Sequence, residues 1–170
     1  MPLGQATLAL VNPVVAVLFA AVPVAVGLLV VPAQRLIGWL LVAHGVCFFA
    51  AMGLSGLVQG EPGLVIDQLG SGSWVLAFVC VVLVAYLLPD GRVASRRWGL
   101  FLRVCLAGVV LFLIGSAGDV SGFRDAHDGA SPPIVWLPEA LSGLLGVVGL
   151  ALTVLFVLGA FGAVRARLGS

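Results

Sequence analysis

Residues 87–98 read LLPDGRVASRRW, a short polar stretch set between two apolar runs that are each long enough to enter a bilayer. Pro89, Asp90 and Gly91 have the chemistry of a turn. Proline presets φ, aspartate bonds the backbone that follows, and glycine accepts a positive φ. The helix before the stretch therefore ends near Leu88. Arg92, Arg96 and Arg97 come next, and Trp98 opens the following apolar run. Arginines at a membrane surface are held by anionic headgroups with about 1 kcal/mol each. Arg103, further along, is able to snorkel back to the same interface. The stretch reads as a cytoplasmic turn that anchors the topology of the chain.

Composition agrees with that reading. Of 170 residues, 62% are apolar and only 9% are charged, whereas soluble domains average about half apolar and a quarter charged. An integral membrane protein follows. All basic residues are arginine, eight of them, against seven acids, for a net charge of +1. Nucleic acid is not an expected partner; the lipid bilayer is. Cys47, Cys80 and Cys105 all fall within apolar runs, which suits buried thiols better than a secreted disulfide framework. The opening MPLGQATLALVNP lacks the basic flank of a cleaved signal and reads as a retained first helix.

A hydrocarbon core about 30 Å thick needs roughly 20 helical residues to cross it. Five such spans are expected, at about 8–31, 36–58, 72–88, 98–117 and 137–164, forming one all-α membrane bundle over residues 1–170. Pro13 and Pro23 are expected to kink the first span. Residues 59–73, QGEPGLVIDQLGSGS, carry the glycine, proline and acidic signals of a loop, with LVIDQL as a short interfacial turn. Residues 118–133, GDVSGFRDAHDGASPP, form the most polar loop.

Orientation follows from the arginines, because cytoplasmic loops accumulate them. One side receives Arg35, Arg92, Arg96, Arg97, Arg103, Arg165 and Arg167. The other receives Arg124 together with Glu61, Asp67, Asp119, Asp125, Asp128 and Glu139. This split puts the N-terminus outside and the C-terminus in the cytoplasm of a multi-pass protein of the bacterial plasma membrane.

The pattern apolar-Pro-Asp-Gly-Arg-x-x-Ser-x-Arg-Trp, here LLPDGRVASRRW, resembles the cytoplasmic loop in the membrane domains of many actinobacterial sensor histidine kinases. The closing AVRARLGS is similar to the start of the arginine-rich segment that follows a later helix in that family. About a dozen residues carry the motif, while the remaining likeness is one of architecture. The resemblance implies a sensor-type input module that signals through its cytoplasmic C-terminal end. No phosphoacceptor-histidine helix or ATP-binding boxes accompany it, so autophosphorylation by this chain is not expected. An isolated module, a truncated product and a separate protein that kept the module all fit.

Among other candidate sites, the outer segment gathers Asp119, Arg124, Asp125, His127 and Asp128. Carboxylates beside an imidazole suit a divalent cation or a sensor of external pH, since histidine changes charge near neutrality. The plainer reading is a solvated loop. His44 lies inside the second span, where an ionisable group is a functional hypothesis by default. Cys47 shares its helix face, but two ligands are too few for a metal, and His127 lies at the wrong depth to complete a haem site. A neutral His44 bonded across the bundle is expected, with no cofactor. Glycines at 143, 146, 149, 159 and 162 in the last span, and at 38, 45, 53 and 56 in the second, permit close helix packing. Either the bundle interior or a homodimer face would use them.

The function expected is thus a membrane sensor or input module. The alternatives are a small accessory protein packed against a partner membrane protein and, less favoured because the spans are nearly bare of polar residues, a transporter component. No paired acid and base marks an enzyme.

Overall fold

The computed structural model of the chain describes residues 3–53, 58, 60–88, 93 and 95–168. Pro89, Asp90, Gly91 and Arg92 of the opening motif lie outside the described residues. Among the described residues seven helices follow in order: α1 (Leu3–Val30), α2 (Arg35–Gly53), α3 (Glu61–Gly70), α4 (Trp74–Leu87), α5 (Arg96–Ala117), α6 (Val120–Ala126) and α7 (Glu139–Leu168). The described residues contain no strand.

Local chemistry accounts for where several helices begin. Ser95 caps α5, its hydroxyl accepting from the Trp98 N–H at 3.4 Å. Asp119 caps α6 by accepting from the Gly122 N–H at 3.0 Å. α3 opens after Gly60, at φ 79°, with Glu61 and Pro62 in its first turn. An acid favours the positive end of the helix dipole there, and proline lacks a donor that would go unpaired anyway. α1 continues through both Pro13 and Pro23.

Among the described residues, three helices are long and apolar enough to cross a membrane: Glu61–Leu87, Arg96–Ala117 and Glu139–Arg165. The first corrects the expectation of a loop at residues 59–73 from Glu61 onward; residue 59 lies outside the described residues. LVIDQL belongs to the ten-residue helix α3, not to an isolated turn. Ser71 and Ser73 keep right-handed helical backbone, at φ −52°, ψ −39° and φ −66°, ψ −21°, and so carry α3 onward into α4. The physical need is length. α4 alone has 14 residues and rises only about 21 Å at ~1.5 Å per residue, well short of the ~30 Å hydrocarbon core. The apolar stretches Val17–Val30 and Arg35–Ala51 are shorter, and residues 54–57, which the second expected span included, lie outside the described residues.

The core sits between α4, α5 and α7, where Val75, Val79, Tyr86, Cys105, Val109, Phe156, Ala160 and Ala163 are buried together. Tyr86 and Phe156 stack with centroids 5.4 Å apart, and the Tyr86 hydroxyl donates to the Phe156 carbonyl at 2.9 Å. α5 and α7 approach at backbone distance. Gly115 faces the Gly146 backbone, Gly149 faces the Phe112 backbone, and Gly108 faces Leu152. α1 and α2 form an antiparallel hairpin closed by Gly27 against Gly38, and by Gly45 against Ala20. α2 rests on α4.

Charges divide between the two ends of the α4–α5–α7 unit. At one end Tyr86, Trp98 and Gly162 meet, which brings Arg96, Arg97 and Arg165 together in sequence neighbourhood. At the other end lie Asp67, Asp119, Arg124, Asp125, Asp128 and Glu139, on or beside α3, α6 and the start of α7. Large apolar side chains such as Leu29, Val147 and Phe161 are exposed along α1 and α7, as suits a surface solvated by lipid rather than water.

Candidate functional site at the acidic end

The acidic end is a folded cap built on one buried side chain. Gln68 of α3 is 3% exposed. Its amide nitrogen donates to the Ala117 carbonyl at 3.1 Å and to the Ile134 carbonyl, and its amide oxygen accepts from the Ile134 N–H at 3.1 Å. Ala117 closes α5, so its carbonyl is one that the helix leaves without an internal partner. The Trp136 indole N–H reaches the same carbonyl at 3.4 Å. A single glutamine therefore ties α3, the end of α5 and the irregular segment around Ile134 together.

Beside it, the His127 Nε2 lies 3.4 Å from Asp67 Oδ2, joining the end of α6 to α3. The other ring nitrogen, Nδ1, lies 3.0 Å from the Phe123 carbonyl, and the imidazole stacks on the Phe123 ring at 4.1 Å between centroids. A carbonyl only accepts, so Nδ1 carries a proton. Nε2 then meets a carboxylate at a distance where protonation would turn a weak contact into a charge-assisted bond.

Two clefts open around this cap. One, of about 250 Å³, is lined by Asp67, Gln68, Ser71, Ser116, Asp119 and His127 among others. The second, of about 420 Å³, lies between α5 and α7, with Ser116, Asp119, Glu139 and Ser142 toward its polar part and Gly143, Gly146 and Leu150 along its apolar part. Ser116 and Asp119 line both.

The four residues expected to sense from this loop are thereby separated. Asp119 and His127 share the smaller cleft, but Asp119 is already engaged as a cap, accepting from the Ser121 hydroxyl at 2.9 Å as well as from Gly122. Asp125 is exposed and lines neither cleft. Asp128 is exposed at φ 52°, followed by Gly129 at φ 85°, so it makes the reversal that ends α6. No group of three or more His, Cys, Asp or Glu side chains among the described residues is placed to hold a metal ion. The divalent-cation reading of the loop thus lacks its ligand set there. Asp67 and Gln68, which sequence reading left in a loop, are the residues that complete the cap. Two adjacent polar residues inside the apolar run LVIDQL were the available signal.

Elsewhere, His44 Nδ1 lies 2.7 Å from the Ala77 carbonyl, so His44 bonds across from α2 to α4. Cys47, one turn on, faces the Cys80 thiol of α4, and both thiols are free. Among the residues of the opening motif, Arg96 and Arg97 are exposed in the first turn of α5, while Trp98 is half-buried against Tyr86 and Phe101.

No protein-family model matches the chain, and neither a curated protein nor a solved structure does. The described residues form an all-helical arrangement with three helices long and apolar enough to cross a membrane and a polar cap at one end.

Proposed function

We propose that the chain is a membrane sensor or input module with five spans, its N-terminus and polar cap outside the cell and its C-terminus in the cytoplasm. Its resemblance to the membrane region of two-component histidine kinases is carried by LLPDGRVASRRW and by the closing AVRARLGS. The observation that carries the reading is the His127–Asp67 contact at the acidic end. It joins α6 to α3, and α3 continues into α4, while Gln68 links the same element to α5. A change at His127 thus bears on two helices whose far ends reach the arginine-bearing side. Histidine is the side chain whose charge changes around physiological pH, and such a protonation acts only through its difference between two arrangements of the bundle.

The test places a cysteine at Arg97, exposed in the first turn of α5 on the arginine-bearing side, in a chain whose Cys47, Cys80 and Cys105 are replaced by alanine, and follows its labelling rate in sealed membranes as external pH moves from about 7.5 to 5.5, the window in which histidine titrates. A severalfold change that His127→Ala removes is expected. A rate that ignores external pH rejects this reading. That outcome leaves the accessory-protein reading, which draws on a different observation: Gly143 and Gly146 present an open face with nothing near the position of a side chain.

A further inference from the structure

At the end of the bundle away from the polar cap, α4 and α7 part to leave a groove of about 420 Å³, lined by Val81, Val82, Ala85, Val157, Phe161 and Val164 among others and closed by Arg165. Every lining residue except Arg165 is apolar. The volume lies in the range of about 300–1,000 Å³ typical of small-molecule sites. Val81, Phe161 and Val164 are exposed, at 48%, 72% and 41%, so the groove opens sideways, toward the space that lipid chains fill around a membrane helix. No ion pair involves Arg165 among the described residues, and the described acids all belong to α3, α6, α7's first turn or the segments beside them at the other end.

We propose that this groove is a binding site for one anionic phospholipid, an acyl chain lying between α4 and α7 and the headgroup phosphate on the Arg165 guanidinium. Charge complementarity selects this occupant. A wholly apolar partner leaves Arg165 desolvated and unanswered, and a zwitterionic lipid brings its own cation to the same place. A phosphate diester offers the paired oxygens that a planar guanidinium binds with two parallel hydrogen bonds. Basic positions between membrane helices at the cytoplasmic surface are where anionic headgroups are recognised in general. The site rests on the proposed topology only in assigning the lipid to the inner leaflet; its selectivity does not.

The experiment is native mass spectrometry of the full chain in neutral detergent, titrated with phosphatidylglycerol or with phosphatidylcholine bearing the same acyl chains. The wild-type protein is expected to retain one phosphatidylglycerol with about fivefold preference, the factor that ~1 kcal/mol for one arginine supplies. Arg165→Gln should bring the preference to unity, whereas Arg124→Gln at the other end should leave it intact. Val81→Trp, which fills the groove from its exposed side, should lower retention of both lipids. Equal binding of the two lipids by the wild type, or a preference that survives Arg165→Gln, overturns the proposal. Displacement of the lipid by millimolar glycerol phosphate also overturns it, since a soluble-anion site would not need the groove. Because none of these readings depends on sidedness, failure here leaves the topology standing, and a reversed topology leaves the site standing in the other leaflet.

Discussion

Two side chains at the acidic end show how unequal the polar residues of this chain are. The His127–Asp67 pair keeps 23% and 28% side-chain exposure, and an ion pair open to solvent contributes at most about 1 kcal/mol. It contributes little to holding the fold. Gln68, 3% exposed, is the opposite. Its replacement by leucine would take a donor from the buried Ala117 carbonyl, and a stranded buried group costs about 1–3 kcal/mol; the Ile134 N–H and carbonyl, on an exposed residue that water reaches, add less. Gln68→Leu should therefore lower the thermal unfolding midpoint in detergent by several degrees and expose the segment near Ile134 to protease. An unchanged midpoint and digestion pattern would remove Gln68 from its place as the clasp of the cap. Sequence reading passed over it because a glutamine in a polar stretch looks solvated. Only the fold shows the carbonyl of Ala117, 49 residues away, arriving at its amide.

At the scale of helices, glycine decides which pairs meet. Side chains at most positions hold helix axes about 8–10 Å apart, and removing the side chain lets backbones touch, which is the main source of association where no water drives it. Gly149 sits against the Phe112 backbone, while Gly143 in the same helix meets nothing. Gly149→Leu is accordingly expected to destabilise the α5–α7 pair by at least the ~1–3 kcal/mol of an overpacked core, seen as aggregation on purification. Gly143→Leu should purify with wild-type yield and unfolding midpoint. Equal behaviour of the two variants would mean that α5 and α7 do not pack along this seam. The sequence showed the abundance of glycine in the last span and left open whether it faces inward or toward a partner. The fold divides the set, with Gly149 and Gly159 against neighbours inside the bundle and Gly143 and Gly146 open.

For the molecule as a whole, the proposed topology makes the last prediction. Reporter fusions after residue 129 should be active only outside the cytoplasm, and fusions after residue 167 only within it. A C-terminal reporter active outside would invert the assignment of both ends and move the polar cap to the cytoplasm. The all-helical, membrane-compatible character of this chain was legible without coordinates. Hydrophobicity is a property of composition and order along the chain, and a long apolar run has one economical answer to its backbone polarity, the helix. The fourth span was expected from about 98, and α5 begins at Arg96, where the Ser95 hydroxyl caps it. What the tertiary structure decided was every pairing between residues distant in sequence: Asp67 with His127, Gln68 with Ala117 and Ile134, His44 with Ala77, and Arg165 at the mouth of a groove formed by α4 and α7. It also placed residues 61–70 of the expected loop in helix α3, which runs on through the turn at 71–73 into the 14-residue α4. Local sequence sets what each segment is able to become, whereas these contacts depend on how helices are placed against one another, and in an apolar chain many placements bury similar surface. Only the few polar groups and the bare glycines, satisfied or fitted in one arrangement, distinguish that placement from the rest.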